Sequence, residues 1–165
     1  MKKMSIKALG LIVMILPLLC GCDAFSEGFP REYSTMNSVD YVKKSAKQLK
    51  EKRPSYRIYR YGQEIKDDTL AQNGFFHYDF KVKDGKDSIV FKLKIHENSE
   101  SENTLYLEAI GKFTPNWLEF HGPNSDKFTD NERKHYVELF ENEVLDNLKI
   151  DWEEKWFANI FNGLF

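Results

Sequence analysis

Between Ser38 and Lys52 the apolar residues Val39, Val42, Ala46 and Leu49 recur at spacings of three, four and three, the stripe of a helix with one buried side. Asn37 or Ser38 offers a side-chain oxygen to the first free amides, Asp40 suits the positive end of the helix dipole, and Pro54 stops the helix. Its outer face carries Lys43, Lys44, Lys47 and Lys50. The period then changes to two. Tyr56 to Tyr61, Phe75 to Lys83, Ser88 to His96 and Thr104 to Ile110 read as strands. Asp84-Gly85 is a two-residue hairpin signal, and pairing Lys83 with Lys86 sets Phe80 opposite Ile89, Tyr78 opposite Phe91 and Phe76 opposite Leu93. Carrying that face through the loop Glu97 to Asn103 sets Ile95 opposite Leu105, Leu93 opposite Leu107 and Phe91 opposite Ala109. In the first strand Tyr56 and Ile58 point one way and Arg57, Tyr59 and Tyr61 the other, and the alternation leaves open which side is buried.

The opposite face of this sheet reads His77, Asp79, Lys81, Val90, Lys92, Lys94, His96, Tyr106, Glu108 and Ile110, which is mostly polar. A sheet with one wet face must cover the other with helices. Thr129-Asp130-Asn131-Glu132 has the form of a capping box and opens a helix with Tyr136, Val137, Phe140, Val144 and Leu148 on one stripe. Asp151-Trp152-Glu153-Glu154 repeats the pattern, predicting a short terminal helix with Trp152, Trp156, Phe157, Ile160 and Phe161 on its apolar side, stopped near Gly163. The fold expected is α+β: an antiparallel four-stranded meander with one face covered by an N-terminal helix and two C-terminal helices, a single domain over 37–165.

Ahead of that domain, Lys2, Lys3 and Lys7 precede an apolar run from Ala8 to Leu19 broken only by Pro17, the layout of a secretory signal over 1–21. The run is shorter than the ~20 apolar residues a bilayer core needs. Leu19-Cys20-Gly21-Cys22 resembles the lipobox of bacterial lipoproteins, although Cys20 departs from the small residue usual at its position. The resemblance implies that Cys22 is lipidated and becomes the first residue after cleavage, so that the chain meets the lipid bilayer through acylated Cys22. It also implies a mature domain without a free thiol. Residues 22–36 then form the lipidated N-terminus and a short tether. The domain is expected at the cell membrane, facing the periplasm or the cell exterior, and Asp23 resembles an inner-membrane retention signal where the host has two membranes.

The chain has 165 residues, 24 Lys plus Arg, 26 Asp plus Glu, and 15% aromatic residues. Thirteen Phe, eight Tyr and three Trp call for a packed core and argue against disorder. Without residues 1–21 the balance is 21 basic against 26 acidic, net about −5, which disfavours nucleic acid as a partner. No phosphate loop, His-Glu-x-x-His helix, calcium loop or Gly-x-Ser-x-Gly elbow occurs, and no cofactor or metal is expected. The constellation worth weighing is a cross-strand row of His77, Lys92 and Glu108 on the wet face, read either as a polar binding site or as ordinary cross-strand pairing. His96 falls four residues beyond the position facing His77, about 13 Å along the strand and too far to share a zinc ion. Phe113 to Lys127 is the longest irregular stretch, and its Trp117 and Phe120 either seal the sheet or form a partner-binding patch.

These features favour a membrane-anchored envelope lipoprotein that binds or assembles with an envelope protein and catalyses nothing. An inhibitor or immunity type, with the acidic loop Glu97, Glu100 and Glu102 facing a basic partner, is one version. The rivals are a small-ligand or lipid-binding protein with a cavity between sheet and helices, and an enzyme of unknown class that uses His77.

Overall fold

The structure, a computed structural model, describes residues 30–72, 74–98, 102–114 and 117–155, without the side chains of 68–72, 114, 117 and 118. The expected signal segment, Cys22 and the residues after Lys155 lie outside the described residues. In chain order the elements are β1 (Arg31–Thr35), α1 (Val39–Lys52), a 3-10 turn at Pro54–Tyr56, β2 (Tyr59–Arg60), β3 (Gln63–Glu64), β4 (Asp68–Gln72), β5 (Phe75–Asp84), β6 (Asp87–Glu97), β7 (Asn103–Thr114) and β8 (Trp117–His121). Then come α2 (Asp130–Phe140), which runs on through a π-helical stretch (Glu141–Leu145) and a last turn (Asp146–Leu148), and β9 (Glu153–Glu154).

Over the described residues the chain is therefore a mixed α and β fold with an antiparallel sheet and two helices, but the sheet is larger than the expected four-stranded meander. Seven strands join it, in the order β4-β5-β6-β7-β1-β9, with β8 also on β7. Both β1 and β8 use the same edge of the long β7: Arg31–Thr35 pairs with its first half and Trp117–His121 with its second.

Four expectations change with this topology. Residues 31–35 are not tether but an internal strand, with Tyr33 fully buried, because β7 would otherwise leave its first half unpaired. Tyr56 to Tyr61 is not a strand of the main sheet: it supplies a 3-10 turn and one arm of a separate small hairpin, with Tyr56 and Ile58 buried and Tyr59 and Tyr61 exposed. Glu153–Glu154 pairs with Ser34 and Tyr33 in place of opening a helix, and Lys155 N donates to Glu32 O at 2.9 Å. Trp152 instead packs edge-on against Tyr33, with ring centroids 5.5 Å apart.

The fourth change concerns register. The β5–β6 turn is Gly85-Lys86, with Asp84 opposite Asp87, so each pairing slides by two residues and Phe80 faces Phe91. Only Gly85 takes a positive φ, +58°, as a turn with Gly in its first central position requires, whereas Asp84-Gly85 would have needed two. A slide of two keeps every side chain on its expected face. Between β6 and β7 the expected pairs Ile95–Leu105 and Leu93–Leu107 are present, then a bulge sets Lys92 opposite Ala109 and Phe91 opposite Ile110. The extra residue turns Ile110, fully buried, into the core where Ala109 was expected, while Glu108 keeps its expected outer face.

The core lies between the sheet and the two helices. Ser38 caps α1 by accepting from Tyr41 N, and Val42, Ala46 and Leu49 pack toward Phe80, Phe91, Leu93 and Leu105. Thr129 and Glu132 form the capping box of α2, whose Phe140 meets Phe91 at 5.5 Å and Tyr33 at 5.9 Å between ring centroids. The π-helical stretch adds a residue to the turn and lets both Val144 and Leu145 face inward. Lys149, at φ +54°, ends the helix. Polar ties bind the two helices: Arg53 Nη1 meets Glu143 Oε2 at 2.6 Å and Arg53 Nη2 donates to Asn147 Oδ1 at 3.0 Å. Tyr56 OH donates to the same Glu143 Oε2 at 2.6 Å. Lys50, buried at the end of α1, pairs with Asp67, whose oxygen also accepts from Asp79 N at 3.1 Å.

Candidate functional site

The outer face of the sheet draws its side chains from alternate residues of β5, β6 and β7, because strand side chains alternate between faces. In the observed register His77 faces Lys94 and Asp79 faces Lys92, so Lys94 takes the place in the row that Lys92 was expected to hold. His77 Nδ1 lies 3.4 Å from Glu108 Oε2, and Lys94 Nζ lies 3.7 Å from Glu108 Oε1. Glu108, outward by strand alternation, is the extra residue of the bulge and lies beside both partners. His77, Glu108 and Lys94 remain about one-third exposed, at 34%, 36% and 27% of their side chains.

Lys92 belongs to a second group. Its ammonium sits 4.4 Å from the centre of the Phe120 ring, which β8 brings over the sheet by pairing Phe120 with Gly111. Lys92 also faces Asp79, whose carboxyl is pushed above its ordinary range by burial and by Asp67, against the opposing pull of Lys92 and Lys50. Two more pairs repeat the motif: Lys94 Nζ is 4.0 Å from the Phe75 ring centre and Lys81 Nζ is 5.2 Å from that of Phe113. Val90, between Lys81 and Gly111, is fully buried although it lies on this face, so this part of the face is covered and not solvated. Trp117 opens β8 opposite Thr114, and its side chain lies outside the described residues.

The remaining imidazoles are engaged separately. His96 stacks on Phe75, with centroids 4.3 Å apart and planes at 19°. It sits two residues beyond the position facing His77, about 7 Å along the strand in place of the expected 13 Å. His121 Nε2 lies 3.4 Å from Glu119 Oε1, and His135 Nε2 lies 2.9 Å from Asp84 Oδ2. Among the described residues no three His, Cys, Asp or Glu side chains cluster as metal ligands. The acidic loop is partly neutralised, since Lys155 Nζ lies 2.7 Å from Glu102 Oε1.

The arrangement thus unites His77, Glu108, Lys92 and Phe120 on one face and adds Lys94, Phe75, Lys81 and Phe113, which the sequence reading left out of the site. The parity of β5 alone places Phe75 beside His77, so that signal was available. Chemically the face offers three ammonium groups held over aromatic rings, with the carboxyl groups of Glu108 and Asp79 and the His77 imidazole among them. Such a surface presents charge and flat apolar area side by side. Comparison of the chain with protein-family models, curated proteins and solved structures finds no match.

Proposed function

We propose that the protein is a lipid-anchored envelope protein that binds another envelope protein through the outer face of its sheet and performs no chemistry of its own. The observation that supports it is the repeated seating of Lys81, Lys92 and Lys94 over Phe113, Phe120 and Phe75 on a half-exposed face. A solvated sheet face needs charges but not rings, and Phe is among the residues enriched where proteins bind one another. The inhibitor version takes an acidic partner segment on this face, in place of a basic one on the Glu97–Glu102 loop.

Lipidation at Cys22 fixes the place of action. With β1 beginning at Arg31, only the eight residues Asp23 to Pro30 separate an acylated Cys22 from the sheet, a reach of at most about 26–29 Å. The domain therefore works close to the bilayer on which it is anchored. A ligand cavity between sheet and helices has less support, because Phe80, Phe91, Leu93 and Phe140 fill that space with no exposure. Catalysis through His77 has less support too, since the carboxylate it pairs with is already shared with Lys94.

In-cell cross-linking at native level, followed by mass spectrometry, tests this reading. One envelope protein should be captured by the wild type and lost in the double variant Lys92→Ala, Phe120→Ala and in Cys22→Ala. Capture unchanged by the face substitutions would overturn the assignment of the face.

A further inference from the structure

The small hairpin of β2 and β3 stands apart from the main sheet and exposes every residue from Tyr59 to Lys66. Its pairs are Tyr59 with Glu64 and Arg60 with Gln63, extended by Ile65 N donating to Ile58 O at 2.8 Å, so Tyr61-Gly62 is a two-residue turn. Both central residues hold positive φ, +51° and +78°. Such turns favour Asn or Gly in the first place, and a bulky side chain there is strained. The Tyr61 side chain returns nothing to the core: it is 82% exposed, and its ring meets the Arg60 guanidinium at 5.5 Å. Tyr59, at 45%, and Ile65, at 39%, are exposed alongside it. A strained position that presents an aromatic ring to solvent points to a contact outside the domain.

The charges indicate what it meets. Arg53 and Arg57 are engaged by Glu143 and Glu64, which leaves Lys52, Arg60 and Lys66 facing solvent against Glu51, the one carboxylate of residues 51–66 outside these ion pairs. This local excess of positive charge stands out in a chain of net charge −2. Tyrosine rings beside basic groups suit the headgroup layer of an anionic bilayer. The hairpin leads directly into β4 at one edge of the sheet, four strand spacings from β1, which is about 19 Å. That is within the reach of Asp23 to Pro30, so anchor and hairpin can meet one membrane together. We infer that the Tyr59–Lys66 hairpin is a second membrane contact that rests on anionic phospholipid, with Tyr61 at its tip. The inference rests on the membrane-anchored reading above and adds the orientation of the domain on its bilayer.

Hydrogen exchange followed by mass spectrometry, on the full chain reconstituted in nanodiscs, provides the test. Discs with one-third phosphatidylglycerol should slow exchange in the 58–66 peptide by about fivefold or more over pure phosphatidylcholine discs, and Arg60→Gln should remove most of that difference. Tyr61→Asn, which suits the positive φ and keeps the turn, should weaken the protection as well, and raised salt should do the same. Equal exchange in the two kinds of disc would overturn the inference. Protection that arises only on adding envelope proteins would also overturn it, by assigning the tip to a protein. The mass of the N-terminal peptide reports acylation of Cys22 in the same run, so a failed lipid anchor and a failed hairpin contact are told apart.

Discussion

Replacing Tyr56 by Phe removes one oxygen and leaves the packed ring, which makes it a clean probe of how the two helices are tied. The hydroxyl donates to Glu143 Oε2 at 2.6 Å and accepts from Arg53 Nη1, while the Arg53–Glu143 pair is formed without it. A hydrogen bond to a charged group contributes about 1.5–3 kcal/mol, and because the Glu143 side chain is itself 40% exposed, water replaces part of it; the expected loss at pH 7 is about 1–2 kcal/mol. The pH dependence gives the sharper signature. Burial, aided by the Glu143 bond, pushes the Tyr56 phenol up to about 12. The folded state therefore holds that proton more tightly than the unfolded chain does, and the stability linked to it is present below pH ~10 and lost as pH rises through about 12, by at most about 2–3 kcal/mol. Glu143 works in the opposite sense. Its pKa is lowered chiefly by the Tyr56 bond, then by Arg53, so its contribution is present above pH ~4.5 and lost as pH falls. Tyr56→Phe abolishes the first effect and weakens the second. Urea unfolding at pH 3, 7 and 11, followed by circular dichroism, should show the gap between wild type and variant widest at pH 7 and narrower at both extremes. Tyr78, also raised to about 12, remains in both proteins, so both should lose stability in alkali. A gap that stays constant from pH 3 to pH 11 would refute the reasoning.

Other substitutions separate local causes. Gly85→Ala puts a Cβ at φ +58°, where nothing lies within 4 Å, so its cost of about 1–2 kcal/mol should come from backbone strain alone and show in thermal unfolding. Thr129→Ala breaks the capping box, in which Thr129 accepts from Glu132 N and Glu132 accepts from Thr129 N, and should cost about 0.5–2 kcal/mol in the same assay. Tyr61→Asn should leave the stability to unfolding unchanged or raise it slightly, by up to about 1 kcal/mol, since Asn tolerates the turn's positive φ. A clear loss there would mean that the Tyr61 ring supports the fold.

The elements most legible in the sequence were those whose pattern repeats over many residues. Val39, Val42, Ala46 and Leu49 marked α1, Thr129-x-x-Glu132 marked the start of α2, and β5, β6 and β7 alternated long enough to fix the inner face. What was lost were short or shared features. Arg31–Thr35 shows only Tyr33 as an apolar inward residue, and its role depends on an unpaired half of β7 that no local pattern reveals. The small hairpin was hidden because Tyr56 and Ile58 obey a strand's alternation while packing from a turn. Glu153 and Glu154 look like the first turn of a helix until β1 is known to need a partner on its other edge. In the site, the faces of His77 and Glu108 followed from parity, but their meeting depends on the Glu108 bulge, which a sequence pattern does not announce. Lys92 kept its face and changed its neighbours, because the hairpin closes at Gly85-Lys86.

The central claim is that the outer sheet face is where a partner binds, and site-specific photo-cross-linking in cells tests it most directly. A photoactivatable residue at Phe120 lies over the lysine-rich face, and one at Lys134 on exposed α2 serves as the control. The account predicts one dominant envelope-protein adduct from position 120, absent from position 134 and lost when Lys92 and Lys94 are both changed to Ala. Equal labelling from the two positions, or no adduct from position 120 in the folded, anchored protein, would contradict it.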